Sequence, residues 1–167
     1  SKTKIGFFLG SSIGNFYNKE EKKFLKNAKK TLGKKSFLFV GVDLIKNVKI
    51  LKKAYNDKRN FTSKFNLNLI NIMNKEVKTK LKVKDFKYIP TFNKKKNSME
   101  NFIVSKKDQA FFIKKKKFTL KKGEKIQTEI SNKFTISKFG KLAKFSGWRV
   151  KKLWKDAKKY YAVFLLQ

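Results

Sequence analysis

Residues 5–43 read IGFFLGSSIGNFYNKEEKKFLKNAKKTLGKKSFLFVGVD, and this stretch decides the fold. Residues 5–9 (IGFFL) are wholly apolar and stop at Gly10, as expected of a strand covered on both faces in a parallel sheet. The turn Gly10-Ser11-Ser12-Ile13-Gly14-Asn15 follows. Asn18 stands three residues before Glu21, the spacing of a capping box at a helix start. Phe24, Leu25, Ala28 and Leu32 then share one helical face, and Gly33 closes the helix. Residues 37–42 (FLFVGV) make a second apolar strand that ends at Asp43. Strand, helix and strand at this spacing form a βαβ unit, so the two strands run parallel.

Further along, residues 47–55 suit a helix with Val48, Leu51, Ala54 and Tyr55 on one side. Thr62 and Ser63 offer a cap for another, carrying Phe65, Leu69, Ile72 and Met73. The pattern then changes. Residues 86–92, 99–104, 109–113 and 124–131 alternate as strands do, between lysine, asparagine and glycine turns. The single proline, Pro90, assigns the first of them to a sheet edge. This stretch reads as an inserted α+β module. The closing part returns to the opening style. Thr135 caps a helix that turns Ile136, Phe139, Leu142, Ala143 and Phe145 inward and ends at Gly147. Residues 148–154 and 160–166 then form an antiparallel hairpin around residues 156–158. The expected architecture is α/β: residues 1–45 and 134–167 in one sheet domain, and residues 46–133 as the insert.

The chain has 167 residues, 45 of them Lys or Arg against 11 Asp or Glu, for a formal net charge of +34. Only Arg59 and Arg149 are arginines. Lysine is a looser point charge than the arginine fork that reads bases and grips phosphates. The lysines are also dispersed, with runs only at 94–96 and 114–117, whereas a nucleic-acid binder concentrates them on one helix or arm. A/T-biased codons give the same composition. Weak, non-specific polyanion binding is the expectation. Without cysteine or histidine, the chain offers no thiolate or imidazole metal site, no cysteine nucleophile and no histidine triad. Its apolar runs fall well short of a membrane span. A cytoplasmic monomer is expected. The chain opens at Ser1 and enters a buried-type strand almost at once, as if beginning in mid-protein.

A parallel sheet that closes on an antiparallel hairpin is the layout of Rossmann-like methyltransferases that use S-adenosylmethionine. In open α/β sheets, ligands bind beyond the carboxyl ends of strands, which makes the turn 10–15 the first place to look. Four segments carry a more specific likeness: FFLGSSIGNF (7–16), GVDLIKNVKILKKAYND (41–57), FNLNLINIMNKE (65–76) and QTEISNKFT (127–135). In that order they resemble the histidine Nα-methyltransferase family, which makes trimethylhistidine for ergothioneine. The resemblance runs from about residue 5 to residue 166 and covers only the second half of that family's chain.

The resemblance implies roles residue by residue. Asn15, in the turn that the family writes FLGSTIGN, would hold the substrate's α-amino group, and Gly10 would let the substrate approach the backbone. Tyr55, in AYND where the family has AYDD, would contact the polar end of the amino acid. Glu129 and Ser131 of TEIS would bind the imidazole. Asn15 and Tyr55 are thus the candidate catalytic residues. Asn101 stands where the family's I-E-M strand has methionine beside the imidazole; as a substrate-binding residue it would make a polar contact to the ring, and it leaves another amino acid open as substrate. The glycine-rich turn and acidic residue that hold S-adenosylmethionine in such enzymes would belong to the preceding half, and no metal is implied. On residue type alone, Asn15 is equally a turn residue, Tyr55 a half-buried core aromatic and Glu129 a solvated strand position. A non-enzymatic, lysine-rich nucleic-acid binder is the alternative from another class.

Overall fold

The structure, a computed structural model, describes residues 2–17 and 19–167, so the capping role expected of Asn18 lies outside the described residues. In chain order the elements are β1 (Ile5–Phe8), α1 (Glu20–Leu32), β2 (Phe37–Asp43), α2 (Val48–Tyr55), α3 (Phe61–Val77), β3 (Phe86–Asn93) and β4 (Ser98–Ser105). They continue with β5 (Gln109–Ile113), β6 (Lys116–Leu120), β7 (Lys125–Asn132), α4 (Ile136–Phe145), β8 (Val150–Lys155) and β9 (Tyr161–Leu166). A 3-10 turn, Ser12–Asn15, follows β1. The chain forms two compact units: Ser1–Asn47, Lys94–Ser98 and Ile130–Gln167 make the first, Val48–Asn93 and Met99–Glu129 the second.

The first unit holds a four-stranded sheet of order β1-β2-β9-β8. β1 and β2 are parallel, as the βαβ pattern requires. β9 runs antiparallel between β2 and β8: the hairpin returns its second strand to the middle of the sheet. One face is core. Leu38, Val40 and Val42 of β2 and Ala162, Phe164 and Leu166 of β9 pack with Leu25 of α1 and Phe139 and Ala143 of α4. The indole N–H of buried Trp148 donates to the carbonyl of Leu25 at 2.8 Å. Thr135 caps α4 as expected, its hydroxyl accepting from the Lys138 amide at 3.0 Å.

The second unit holds α2, α3, the hairpin β5-β6 and most of a three-stranded sheet of order β3-β4-β7. β3, with Pro90, is an edge of that sheet. Its core gathers Ile70, Leu81, Phe86, Ile103, Phe111 and Leu120.

Five expectations need correction. β1 is not covered on both faces: it is the edge of its sheet, with Ile5 54% and Phe7 68% exposed. Phe8 packs towards α1, whereas Phe7 stacks only along the open face on Phe39, with centroids 5.0 Å apart. α3 starts at Phe61, and its first amides donate to the Asp57 carboxylate, not to Thr62 or Ser63 (Phe61 N–H 2.8 Å, Thr62 N–H 2.9 Å). Its inward face is offset, since Phe65 and Ile72 are exposed while Asn66 and Ile70 are buried. β6 arises from a lysine run taken for a turn, because pairing with β5 satisfies its backbone while its lysines face solvent. Phe145, expected inward, is 70% exposed at the end of α4, where Lys22 lies over its ring. No helix among the described residues is long and apolar enough to cross a membrane.

Candidate functional site

In the first unit, the carboxyl end of β1 turns sharply. Gly10 (φ +80°) and Ser11 (φ +60°) are both left-handed, a conformation natural for glycine and uncommon for serine. Ser11 is held there from both sides: its hydroxyl accepts from the Asp43 amide at 2.8 Å and its carbonyl from the Gly14 amide at 2.8 Å. The Gly10 amide donates to the phenol of Tyr161 at 3.0 Å. That phenol lies over Gly41, where any Cβ would collide with it. Gly14 is demanded by a second close approach, since a Cβ there would sit 2.7 Å from the Asn132 carbonyl oxygen. Asn15 closes the turn with its side chain exposed. A cavity of about 340 Å³ beside the turn is lined by Phe16, Tyr17, Ile130, Asn132 and Phe134 among others.

Asp43, at the carboxyl end of β2, anchors a charged cluster. Lys46 lies 2.5 Å from its Oδ1 and Lys133 lies 2.9 Å from its Oδ2. Lys133 is 1% exposed and also donates to the Ser131 hydroxyl at 2.7 Å. Buried lysine is rare unless paired, and here pairing and hydrogen bonding are both supplied. The sequence reading missed Lys133. The available signal was its spacing of two from Ser131 at the end of a strand, which puts both side chains on one face.

In the second unit, the phenol of Tyr88 on β3 donates to Asn101 Oδ1 at 2.7 Å. Asn101 Nδ2 donates to Glu129 Oε2 at 2.9 Å. Asn101 is buried, whereas Tyr88 and Glu129 are half-buried. Burial pushes the Tyr88 phenol well above the usual tyrosine range, and the nearby Tyr55, Glu129 and Asp57 push it the same way. Tyr88 therefore remains a protonated donor. The strand backbone is fixed too: the Thr128 hydroxyl lies 3.1 Å from the Asn101 carbonyl and 2.5 Å from Asn66 Oδ1 on α3.

Of the six residues singled out from the sequence, Gly10, Asn15 and Ser131 lie in the first unit and Tyr55, Asn101 and Glu129 in the second. Within the second unit, Asn101 and Glu129 are in direct contact, and Tyr55 shares their electrostatic neighbourhood through Tyr88. Within the first, Ser131 is tied to Lys133 and Gly10 to Tyr161. Tyr88 was also missed, although its alternation with Phe86 and Pro90 along β3 marks it as sharing their face. Among the described residues, no cluster of three or more His, Cys, Asp or Glu side chains could hold a metal ion.

A family model described as histidine-specific methyltransferase, SAM-dependent, matches residues 1–167. Histidine N-alpha-methyltransferase of Mycolicibacterium smegmatis is 28% identical over 133 residues, 78% of this chain and 41% of that protein. The protein of the same name from Mycobacterium tuberculosis is 27% identical over 155 residues, 92% of this chain and 48% of its own length. Ergothioneine biosynthesis protein 1 of Neurospora crassa is 40% identical over 68 residues, 41% of this chain and 8% of that protein. The chain thus spans less than half the length of each of the curated relatives it matches.

Proposed function

The chain belongs to the histidine-specific, S-adenosylmethionine-dependent methyltransferase family, and from that premise we propose that the whole enzyme methylates the α-amino nitrogen of L-histidine to give trimethylhistidine, a step towards ergothioneine. The observation that carries this reading is the run of the histidine-specific family model along all 167 residues. The same reading takes the enzyme as a cytoplasmic monomer.

S-adenosylmethionine, when bound, supplies the methyl group from its sulfonium. Two groups at the strand ends are already engaged. Asp43, the acid at the carboxyl end of a parallel strand, has both oxygens engaged by Lys46 and Lys133, and the Gly10 amide is taken by Tyr161. The residues of this chain instead bind and orient the amino acid. Asn15 and Tyr55 orient the amino group and the polar end, since an amide and a phenol hydrogen-bond without imposing a charge. Gly10, lacking a side chain, leaves room at the backbone. Glu129 accepts from an imidazole N–H. The Ser131 hydroxyl accepts from Lys133, so its own proton is left to serve the second ring nitrogen. Polar groups that pair with both ring nitrogens favour imidazole over side chains that leave them unpaired.

The test is steady-state methylation by the complete enzyme, with histidine and phenylalanine as competing acceptors. Glu129→Ala should mainly raise KM for histidine, roughly ten- to a hundredfold for a lost charged hydrogen bond. Asn15→Ala should lower kcat at saturating histidine, as when near-attack geometry is lost. Equal preference for the two amino acids in the unsubstituted enzyme would end the histidine reading.

A further inference from the structure

Three side chains in the second unit form a directed chain of hydrogen bonds: Tyr88 O–H to Asn101 Oδ1, then Asn101 Nδ2–H to Glu129 Oε2. The direction follows from chemistry. An ionised carboxylate only accepts, so the amide must turn its nitrogen towards Glu129. Its oxygen then faces Tyr88, which must donate. The reverse amide orientation would set two oxygens against each other at 2.9 Å. Asn101 cannot drift, because it is 1% exposed and its backbone carbonyl meets Thr128.

We propose that Tyr88 and Asn101 are positioning residues for Glu129: the phenol fixes the orientation of the amide, and the amide holds one carboxylate oxygen, so the substrate side chain that Glu129 recognises must be a hydrogen-bond donor. The proposal rests on the recognition role given to Glu129 above. It changes the part assigned to Asn101, which acts on the substrate through Glu129 and not by its own contact. This amide spends its polarity on the acid. Burial and the neighbouring negative groups keep Tyr88 protonated, so the chain of donors persists across the physiological range.

The test has two arms. The first needs no activity: the Asn101 side-chain amide is followed by 15N NMR in the protein without substrate. Its exchange with solvent should quicken roughly five- to tenfold, the worth of one hydrogen bond, in Tyr88→Phe and in Glu129→Ala. Unchanged exchange in both variants overturns the hydrogen-bonded chain whatever the substrate proves to be. The second arm is steady-state kinetics of the complete enzyme with histidine. Tyr88→Phe and Asn101→Leu should each raise KM roughly five- to tenfold with kcat within about twofold. Because Tyr88 acts only through Asn101, adding Tyr88→Phe to Asn101→Leu should raise KM no further. If Tyr88→Phe raises KM equally in both backgrounds, or leaves it unchanged in the unsubstituted enzyme, the positioning role is wrong. Should the complete enzyme refuse histidine altogether, the functional reading fails, and the amide exchange still decides the network.

Discussion

Replacing Lys133 by methionine should destabilise the first unit by an amount its surroundings set. The side chain is 1% exposed, and its ammonium group touches Asp43 Oδ2 at 2.9 Å and Ser131 Oγ at 2.7 Å. Removing one partner of a buried ion pair costs about 3–5 kcal/mol, because the other charge is left uncompensated. Asp43 is better off than that. It is 21% exposed and keeps Lys46 at 2.5 Å, and methionine fills most of the vacated volume. The expected loss is therefore below that range, roughly 2–3 kcal/mol. With a urea slope of about 2 kcal/mol per molar, the midpoint should fall by about 1–1.5 M. Trp148 and Trp154 are the chain's two tryptophans and both lie in the first unit, so their fluorescence follows that unit alone. Asp43→Asn and the double variant complete the cycle, in which the double should cost less than the sum by about 1–2 kcal/mol. A Lys133→Met midpoint indistinguishable from that of the unsubstituted protein, or a strictly additive cycle, would refute the buried ion pair as an anchor.

Gly14→Ala should lower stability, followed by the same fluorescence, by about 1–3 kcal/mol, since its Cβ would stand 2.7 Å from the Asn132 carbonyl oxygen, an overpacking against backbone. Asp57 is held down to about 2, chiefly by the amides of Thr62 and Phe61. Its stabilisation of α3 is therefore full above the ordinary aspartate value of 3.8 and fades as pH falls through about 2. Circular dichroism between pH 5 and 2 should show Asp57→Ala already lacking that share at pH 5 and converging with the unsubstituted protein on acidification. Affinity for heparin or DNA should be weak, independent of sequence and largely gone by a few hundred millimolar salt, because dispersed lysines release counterions without reading bases; a sequence-specific complex at that salt would contradict this.

The parts of the fold legible from sequence were those where one physical signal acted alone. Two unbroken apolar runs around a one-sided helix leave few arrangements besides parallel β1 and β2 with α1 between them in sequence. Thr135 had no competitor as a cap and is one. α3 defeated periodicity because its apolar residues surround the helix. Phe61, Phe65 and Ile72 face solvent, while a polar residue, Asn66, is buried through its bond to Thr128 on a distant strand. No rule of spacing within the helix could supply that partner. β6 was hidden for a similar reason, since a run of lysines looks like a turn until β5 pairs with it.

The same distinction separates the candidate site residues from those that hold them. Asn15, Tyr55, Glu129 and Ser131 were found because they sit in motifs, and motifs preserve the groups that would meet a ligand. Lys133 and Tyr88 hold their partners by contact, and contact is a property of the folded chain. Lys133 is the sharper case. In a chain with 45 basic residues, one more lysine carries almost no information, and a reading that assigns lysines to solvent is right nearly everywhere. What sets Lys133 apart is that it is 1% exposed, with an acid on one side and the Ser131 hydroxyl on the other. A surface lysine loses little when its charge is removed, because water screens whatever it faces. Losing this one would take a partner from Asp43 and from Ser131 together. One position in the lysine-rich composition is thus structural, and charge counts are blind to it.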